Sequence, residues 1–164
     1  MIELQIVAGS VSDVPRMRDS GMFSILDAVI GHEYYEVNVC SAHRNAAELA
    51  EFTSAGVAEG ARVYIGVAGM AAALPGALAA HTRMARLVIG VPMDEDGIDS
   101  CLYMPPGVPV ATAGVGRVGL KQAAIMACQV LSIGNDLRLQ KLLEYLDSTA
   151  KPAQFRIDIK EFKA

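Results

Sequence analysis

Short apolar runs rich in β-branched residues alternate along this chain with segments of helical spacing, and this alternation constrains the fold more than any other feature. Five such runs predict strands, at residues 4–8, 34–39, 63–68, 87–91 and 108–112. Most of the intervening segments repeat apolar residues three and four positions apart, as one face of a helix does. Strands that alternate with helices form a parallel sheet covered on both faces. The sequence therefore predicts an α/β fold with a parallel sheet of about five strands.

Four segments predict helices by their spacing. Residues 15–30 place their apolar side chains mainly on one face, and residues 45–60 do so and end at Gly60, a common C-terminal stop. Residues 135–150 are amphipathic, whereas residues 119–134 are apolar almost throughout. A helix without a polar face needs more than one neighbour, which favours burial at a subunit interface. Packing against the sheet is the alternative.

Composition narrows the class of protein. The 164 residues include 52% hydrophobic ones, enough for the core of a single domain, which we expect to span residues 1–150 with a tail at 151–164. The net charge of −4, with scattered basic residues, argues against nucleic acid and anionic membranes as partners and favours a small molecule. The apolar stretch 64–80 is interrupted by Pro75 and Gly76, so we do not expect it to span a membrane.

The cysteines and the N-terminus predict a cytoplasmic protein. Cys40, Cys101 and Cys128 are odd in number and lack the paired spacing of a metal site or redox motif, so we expect reduced thiols. Residues 1–9 have no basic region and no cleavage pattern, and we expect no signal peptide.

The loops that leave the first three strands are the expected ligand site, because parallel α/β sheets bind ligands at the carboxyl ends of their strands. The first loop carries two hydroxyls, Ser10 and Ser12, followed by Asp13 and a proline that suits a helix start. One interpretation is that these residues only cap the helix. The other is that the hydroxyls and helix N–H groups hold a phosphate, while Asp13 holds ribose hydroxyls.

The second loop reads Cys-Ser-Ala-His-Arg-Asn from Cys40 to Asn45. Arg44 suits bidentate phosphate binding, whereas a guanidinium is a costly packing choice. A positive helix end and a guanidinium both disfavour an imidazolium, so we expect His43 to be neutral and able to accept a proton. A lone histidine is more often structural than catalytic. Its position at the end of a strand favours proton transfer here.

The third loop, residues 66–76, is rich in glycine and alanine. Gly69 lets the backbone approach a ligand closely, and Pro75 fits the first turn of a helix. Tight packing of that helix on the sheet explains the same residues, and the two interpretations are compatible.

Other ionisable residues predict structural roles. His32 lies in a turn that we expect at the surface, and His81 lies near a helix C-terminus, where it complements the dipole. The acidic segment from Asp94 to Asp99 resembles a metal-binding cluster, but a solvated loop is the favoured interpretation. We expect no metal site.

Several motifs together resemble the N5-carboxyaminoimidazole ribonucleotide mutase family, the catalytic subunit of phosphoribosylaminoimidazole carboxylase. The resemblance runs from about Leu4 to Leu146. The stretches that carry it, in order, are GSVSD, SAHR, AGMAAALPG, IGVP, GIDS, MPPGVPVAT and GVGRVGLKQAAIMACQVL. The pair GSVSD and SAHR, separated by one helix and one strand, is the specific part.

The resemblance implies a flavodoxin-like three-layer αβα sandwich that assembles as a homo-octamer. It implies a reaction of de novo purine synthesis that moves a carboxylate from the exocyclic nitrogen of an aminoimidazole ribonucleotide to ring carbon four. No metal, biotin or nucleotide cofactor is implied.

The resemblance also implies roles for nine residues. The ribose phosphate part would be held by Ser10, Asp13 and Arg44. The same pocket would be lined by Ser12 and Ser41. The general acid and base would be His43, and the imidazole would be covered by Gly69, Met70 and Leu74.

Two other functions stay open at this stage. The chain has Ala73 where the family usually has a histidine, and Gln122 where it usually has an asparagine, so the carboxyl donor could be CO2 or the substrate another mononucleotide. The second alternative is an oligomeric nucleotide-binding scaffold, because a fold does not dictate a function.

Overall fold

The structure is a computed structural model that describes residues 1–151, and in these residues five strands form one all-parallel sheet. The strands are β1 (Leu4–Ala8), β2 (Tyr35–Val39), β3 (Val63–Ala68), β4 (Leu87–Pro92) and β5 (Ala111–Thr112). The helices are α1 (Asp13–Ser20), α2 (Met22–Val29), α3 (Ala46–Ala58), α4 (Leu74–His81), α5 (Ile98–Leu102), α6 (Gly116–Leu131) and α7 (Asp136–Thr149). The predicted α/β class and flavodoxin-like architecture are confirmed.

The strand order β2-β1-β3-β4-β5 places the point of reversal between β1 and β3. β1 pairs with β2 from Leu4 opposite Tyr35 and with β3 from Leu4 opposite Val63, so the three carboxyl ends lie side by side. Three loops distant in sequence therefore begin at one edge of the sheet.

Alternating side chains divide the core into two layers. On one face of the sheet, Ile6 and Ile65 belong to a cluster with side chains of α1, α2, α6 and α7. On the other face, Val7 and Tyr64 pack with side chains of α3, α4 and α5. β1 and β3 are buried along their whole length, as expected for central strands with helices on both faces.

Helix α4 approaches the sheet closely because β3 and β4 carry paired glycines. Gly66 lies opposite Gly90 in the register. A Cβ on Gly66 would lie 3.2 Å from the Cα of Pro75, and one on Gly90 would lie 3.1 Å from the Cβ of that proline. The predicted tight packing at the third loop is thus present.

The segment 15–30 is not one continuous helix, contrary to the sequence prediction. Gly21 adopts a left-handed conformation (φ +83°) and separates α1 from α2. The Ser20 hydroxyl donates to the carbonyl of Met17 and accepts from the N–H of Met22, which stabilises the break. The apolar face continues across the break because Met17 and Met22 are both buried.

The fifth strand and the sixth helix also differ from their predictions. β5 covers only two of the five predicted residues, and Pro109, which has no N–H for a ladder, lies outside it. α6 does have a polar face, since Arg117, Lys121 and Gln122 are exposed while its alanines pack inward. The argument for a subunit interface assumed that this helix has no polar face, so that argument is lost. The subunit interface stays a prediction.

The N-terminus of α7 offers a direct stability test. The side-chain oxygen of Asn135 accepts a hydrogen bond from the N–H of Arg138 at 3.1 Å, whereas Asn45, which precedes α3, makes no side-chain cap. We expect Asn135→Ala to lower the free energy of unfolding by about 1 kcal/mol. Urea denaturation is the measurement, and the matched Asn45→Ala control should change little. Equal losses in both variants would contradict the cap.

The remaining structural predictions concern the cysteines, the membrane and the tail. All three cysteines are free, and burial raises the pKa of Cys101 to about 11 and of Cys128 to about 12. Within residues 1–151, every helix is too short or too polar to cross a membrane. Apart from Lys151, the predicted tail lies outside the described residues, and the domain boundary at residue 150 stays a prediction.

Candidate functional site

The loops after β1, β2 and β3 line one cavity of about 660 Å³ at the carboxyl edge of the sheet. All nine residues predicted for the site line it: Ser10, Ser12, Asp13, Ser41, His43, Arg44, Gly69, Met70 and Leu74. The sheet topology brings them together from three loops, of which the first two are separated by α1, α2 and β2 and the last two by α3 and β3.

The first loop presents two hydroxyls whose oxygens lie 2.8 Å apart, those of Ser10 and Ser12. Ser12 occupies the position before α1, yet its side chain makes no cap hydrogen bond. The capping interpretation of this residue is therefore wrong. Both hydroxyls remain able to bind a ligand together with the N-terminal N–H groups of α1.

Asp13 is the buried carboxyl of the cavity, with 8% of its surface exposed. Burial raises the pKa of Asp13 above its ordinary value, and the nearby charge of Asp94 raises it further. Arg16 and a backbone hydrogen bond from Ser10 act in the opposite direction. A carboxylate held in this way can accept hydrogen bonds from ligand hydroxyls.

The second loop forms a turn between β2 and α3 that leaves two side chains exposed. The N–H of Arg44 donates to the Ser41 hydroxyl at 3.4 Å, and the N–H of Asn45 donates to the Ser41 carbonyl at 2.9 Å. His43 and Arg44 thus lie side by side on the cavity wall, immediately before the N-terminus of α3. This turn offers an imidazole and a guanidinium to one ligand.

The third loop carries an exposed apolar side chain on a strained backbone. Met70 has φ +52° and is 74% exposed. Its N–H donates to both carboxylate oxygens of Asp94 at 3.0 Å. Leu74, by contrast, is buried at the start of α4. The loop therefore offers Met70 as an apolar cover beside the fixed wall of Leu74.

Arg16 and Asp94 also line the cavity, and neither was predicted for the site. Arg16 lies three residues after Asp13 on α1, a spacing that places both on one helix face. Asp94 follows β4, so the strand-end rule could have indicated it. Asp94 is half-buried and accepts hydrogen bonds from the N–H groups of Met70 and Gly97, a structural role that the prediction of a solvated loop did not include.

The two remaining histidines and the rest of the acidic segment lie where the sequence predicts them. The His32 side chain is 85% exposed, as expected for a surface residue, and His81 is the last residue of α4. Glu95, Asp96 and Asp99 are exposed. In the part of the chain that the structure describes, histidine, cysteine and acidic residues form no cluster of three or more suited to a metal ion.

Known proteins are similar to this chain in sequence and in fold. The family model described as AIR carboxylase matches residues 3–151. N5-carboxyaminoimidazole ribonucleotide mutase from Pyrococcus abyssi is 40% identical over 151 residues, covering 88% of this chain and 82% of the relative. The mutase of that name from Bacillus subtilis is 39% identical over 150 residues, covering 88% and 89%. A crystal structure of PurE from Treponema denticola superposes with a TM-score of 0.76 at 24% identity, covering 88% of this chain and 89% of that one.

Proposed function

The chain belongs to the AIR carboxylase family, and we propose that it converts N5-carboxyaminoimidazole ribonucleotide to 4-carboxy-5-aminoimidazole ribonucleotide in de novo purine biosynthesis. The observation that carries the proposal is the convergence of three strand-end loops on one cavity. That cavity joins anion-binding, proton-transferring and apolar groups, which are the three kinds that this substrate needs.

The ribose phosphate binds at the end of the cavity formed by the first two loops. Ser10 and Ser12 donate hydroxyl hydrogen bonds to phosphate oxygens, and Arg44 adds a bidentate positive charge. The buried carboxylate of Asp13 accepts the ribose hydroxyls, while Ser41 holds the turn through the N–H of Arg44. These contacts leave the base directed toward the third loop.

The imidazole binds at the apolar end, against Leu74 and Gly69 and beneath Met70. The backbone of Gly69 forms part of this wall, and Met70 covers the ring from the solvent side. Exclusion of water there keeps released CO2 beside the ring long enough to react again.

His43 moves the protons of the reaction. In the first half, His43 takes up a proton from solvent, the N–C bond of the carbamate breaks, CO2 departs, and the imidazolium gives that proton to the exocyclic nitrogen. In the second half, carbon four of the ring bonds to CO2, and neutral His43 removes the proton from that carbon. One side chain therefore acts as acid and then as base, and the proton count balances over the cycle.

An assay with two carboxyl donors tests the proposal. Purified protein is offered the N-carboxylated ribonucleotide, or aminoimidazole ribonucleotide with bicarbonate, and formation of the C-carboxylated product is followed by absorbance without ATP. We expect turnover of the first substrate and little dependence of its initial rate on bicarbonate. Turnover only with bicarbonate would identify a CO2 carboxylase, and binding without any turnover would favour a nucleotide-binding scaffold.

We further propose a cytoplasmic homo-octamer. The three free cysteines are consistent with a reducing compartment. Leu137 and Leu143 on α7 are 63% and 52% exposed, and Ile133 before this helix is 72% exposed. A second subunit would bury these side chains. Size-exclusion chromatography with light scattering tests the assembly, and a monomer would contradict it.

A further inference from the structure

Two charged residues that the proposed chemistry does not use line the cavity. Arg16 extends from α1, one turn after Asp13, and Asp94 follows the end of β4. The two side chains carry opposite charges. Their contacts indicate what they do.

Arg16 joins α1 to the end of β4. Its Nη2 donates to the carbonyl of Met93 at 2.6 Å, a contact between residues 77 positions apart. Asp94, the next residue, accepts the N–H of Met70 and the N–H of Gly97, each at 3.0 Å. A continuous series of hydrogen bonds therefore runs from α1 through residues 93–94 to the loop that covers the apolar end of the cavity.

The loop after β3 needs such a connection because its backbone is strained. A non-glycine residue in the left-handed region, as at Met70, persists only where its surroundings hold it. The carboxylate of Asp94 supplies a charged acceptor for the Met70 N–H, and a Cβ on Gly69 would collide with that carboxylate. Asp94 thus occupies the space that the neighbouring glycine leaves open.

The same two residues act on Asp13 with opposite sign. Desolvation is the main cause of the raised pKa of Asp13, Arg16 counteracts it, and Asp94 adds to it. His43 and Arg44, on the second loop, are the other ionisable groups on the cavity wall. The charge of Asp13 therefore depends on the connection as well as on burial.

We propose that Arg16 and Asp94 are positioning residues that fix the covering loop through Met93 and Met70 and set the electrostatic surroundings of Asp13. The inference rests on the proposed function in one respect, namely that this cavity holds the mononucleotide. Neither residue needs to contact the reacting atoms.

The first test measures Asp13 directly by carbon-13 NMR of labelled aspartate carboxyl groups, with Asp13→Asn used for assignment. We expect Arg16→Met to raise the pKa of Asp13, because a nearby positive charge is lost, and Asp94→Asn to lower it, because a negative charge is lost. The controls Arg18→Met and Glu95→Gln change exposed neighbours that do not line the cavity, and they should leave the pKa of Asp13 unchanged. Shifts of the same sign in both cavity variants, or shifts equal to those of the controls, would overturn the inference.

The second test separates positioning from a merely structural role by kinetics. We expect Arg16→Met to lower kcat/KM about tenfold or more, mainly through KM, because a hydrogen bond to a charged group is lost. Arg16→Lys keeps the positive charge and should restore much of this loss. A fall in kcat/KM equal in Arg16→Met and Arg16→Lys, with Asp13 unshifted in both, would overturn the inference.

Failure of the proposed function is recognised separately. Wild-type protein that turns over neither carboxyl donor would refute the function, while the NMR shifts would still decide the roles of Arg16 and Asp94. In that case the dissociation constant of ribose 5-phosphate replaces KM. It should rise in Arg16→Met and return toward the wild-type value in Arg16→Lys. Should Asp94→Asn fail to fold, the Arg16→Met and Arg16→Lys pair decides the inference alone.

Discussion

Replacing His43 by asparagine is expected to lower kcat by about 10² to 10⁴-fold, the contribution of a positioned general acid and base. Asparagine preserves much of the side chain's size and polarity but cannot exchange a proton at neutral pH. His43 lies on an exposed turn and makes no core contact, so the variant should fold normally. Steady-state kinetics with the N-carboxylated ribonucleotide measure the loss.

Binding of the nucleotide should survive this change, because the phosphate and ribose contacts come from other residues. Calorimetric titration with aminoimidazole ribonucleotide measures that affinity in both proteins. His32→Asn, at an exposed position outside the cavity, serves as the matched control and should retain full activity. Wild-type activity in the His43 variant would refute its role, and loss of binding together with activity would indicate that His43 holds the substrate instead.

Replacing Arg138 by methionine is expected to lower the free energy of unfolding by about 2 kcal/mol, because a partly buried ion pair loses one member and hydrogen bonds to a charged group are lost. Arg138 on α7 donates to the Glu3 carboxylate at 2.7 Å and to the carbonyl of Leu131 at 3.3 Å. Its guanidinium also lies 4.7 Å from the centre of the Tyr34 ring. Methionine keeps the apolar stem but leaves Glu3 and the Leu131 carbonyl without this donor.

Urea denaturation at fixed protein concentration measures this loss. Arg62 is the control, because it binds the same carboxylate at 3.2 Å from a more exposed position, and Arg62→Met should cost less than about 1 kcal/mol. Glu3 lies at the amino end of β1, opposite the cavity, so folded Arg138→Met protein should keep its KM. Equal losses in the two arginine variants would contradict the dominant role of Arg138.

The pH dependence of this ion pair follows from the same contacts. The hydrogen bond from Arg138 holds the pKa of Glu3 below its ordinary value of 4.5, although desolvation opposes it. A lowered pKa in the folded state means that the unfolded chain binds the proton more readily. The ion pair therefore contributes its full stabilisation at pH values above the ordinary pKa of Glu3. That stabilisation is lost as the pH falls through the lowered folded-state pKa. The stability difference between wild type and Arg138→Met should therefore shrink in acid.

The order of strands and helices could be predicted from the sequence because it depends on local patterns. The run from Val63 to Ala68 is apolar throughout because its strand is buried on both faces, and this composition is visible without a structure. The strand-end rule then predicts that Ser10, His43 and Gly69 lie at one edge of the sheet. Sequence reasoning failed where the same local pattern of apolar residues is compatible with two different structures. The segment 15–30 has one apolar face but forms two helices, because Gly21 ends the first of them. The alanines of α6 made this helix look apolar on all sides, although it has a polar face.

The sequence by itself determined the fold class and the chemistry of the three loops, because periodicity, turn residues and side-chain type are properties of neighbouring residues. Only the tertiary structure decided which groups that are distant in the sequence contact one another. Arg16 meets Met93 across 77 positions, and Arg138 meets Glu3 across 135. Such contacts depend on how α1 and α7 pack against the sheet, and no periodic pattern specifies that packing. For the same reason Asp94, one member of an acidic run in the sequence, became part of the cavity wall once β4 had brought it beside Met70.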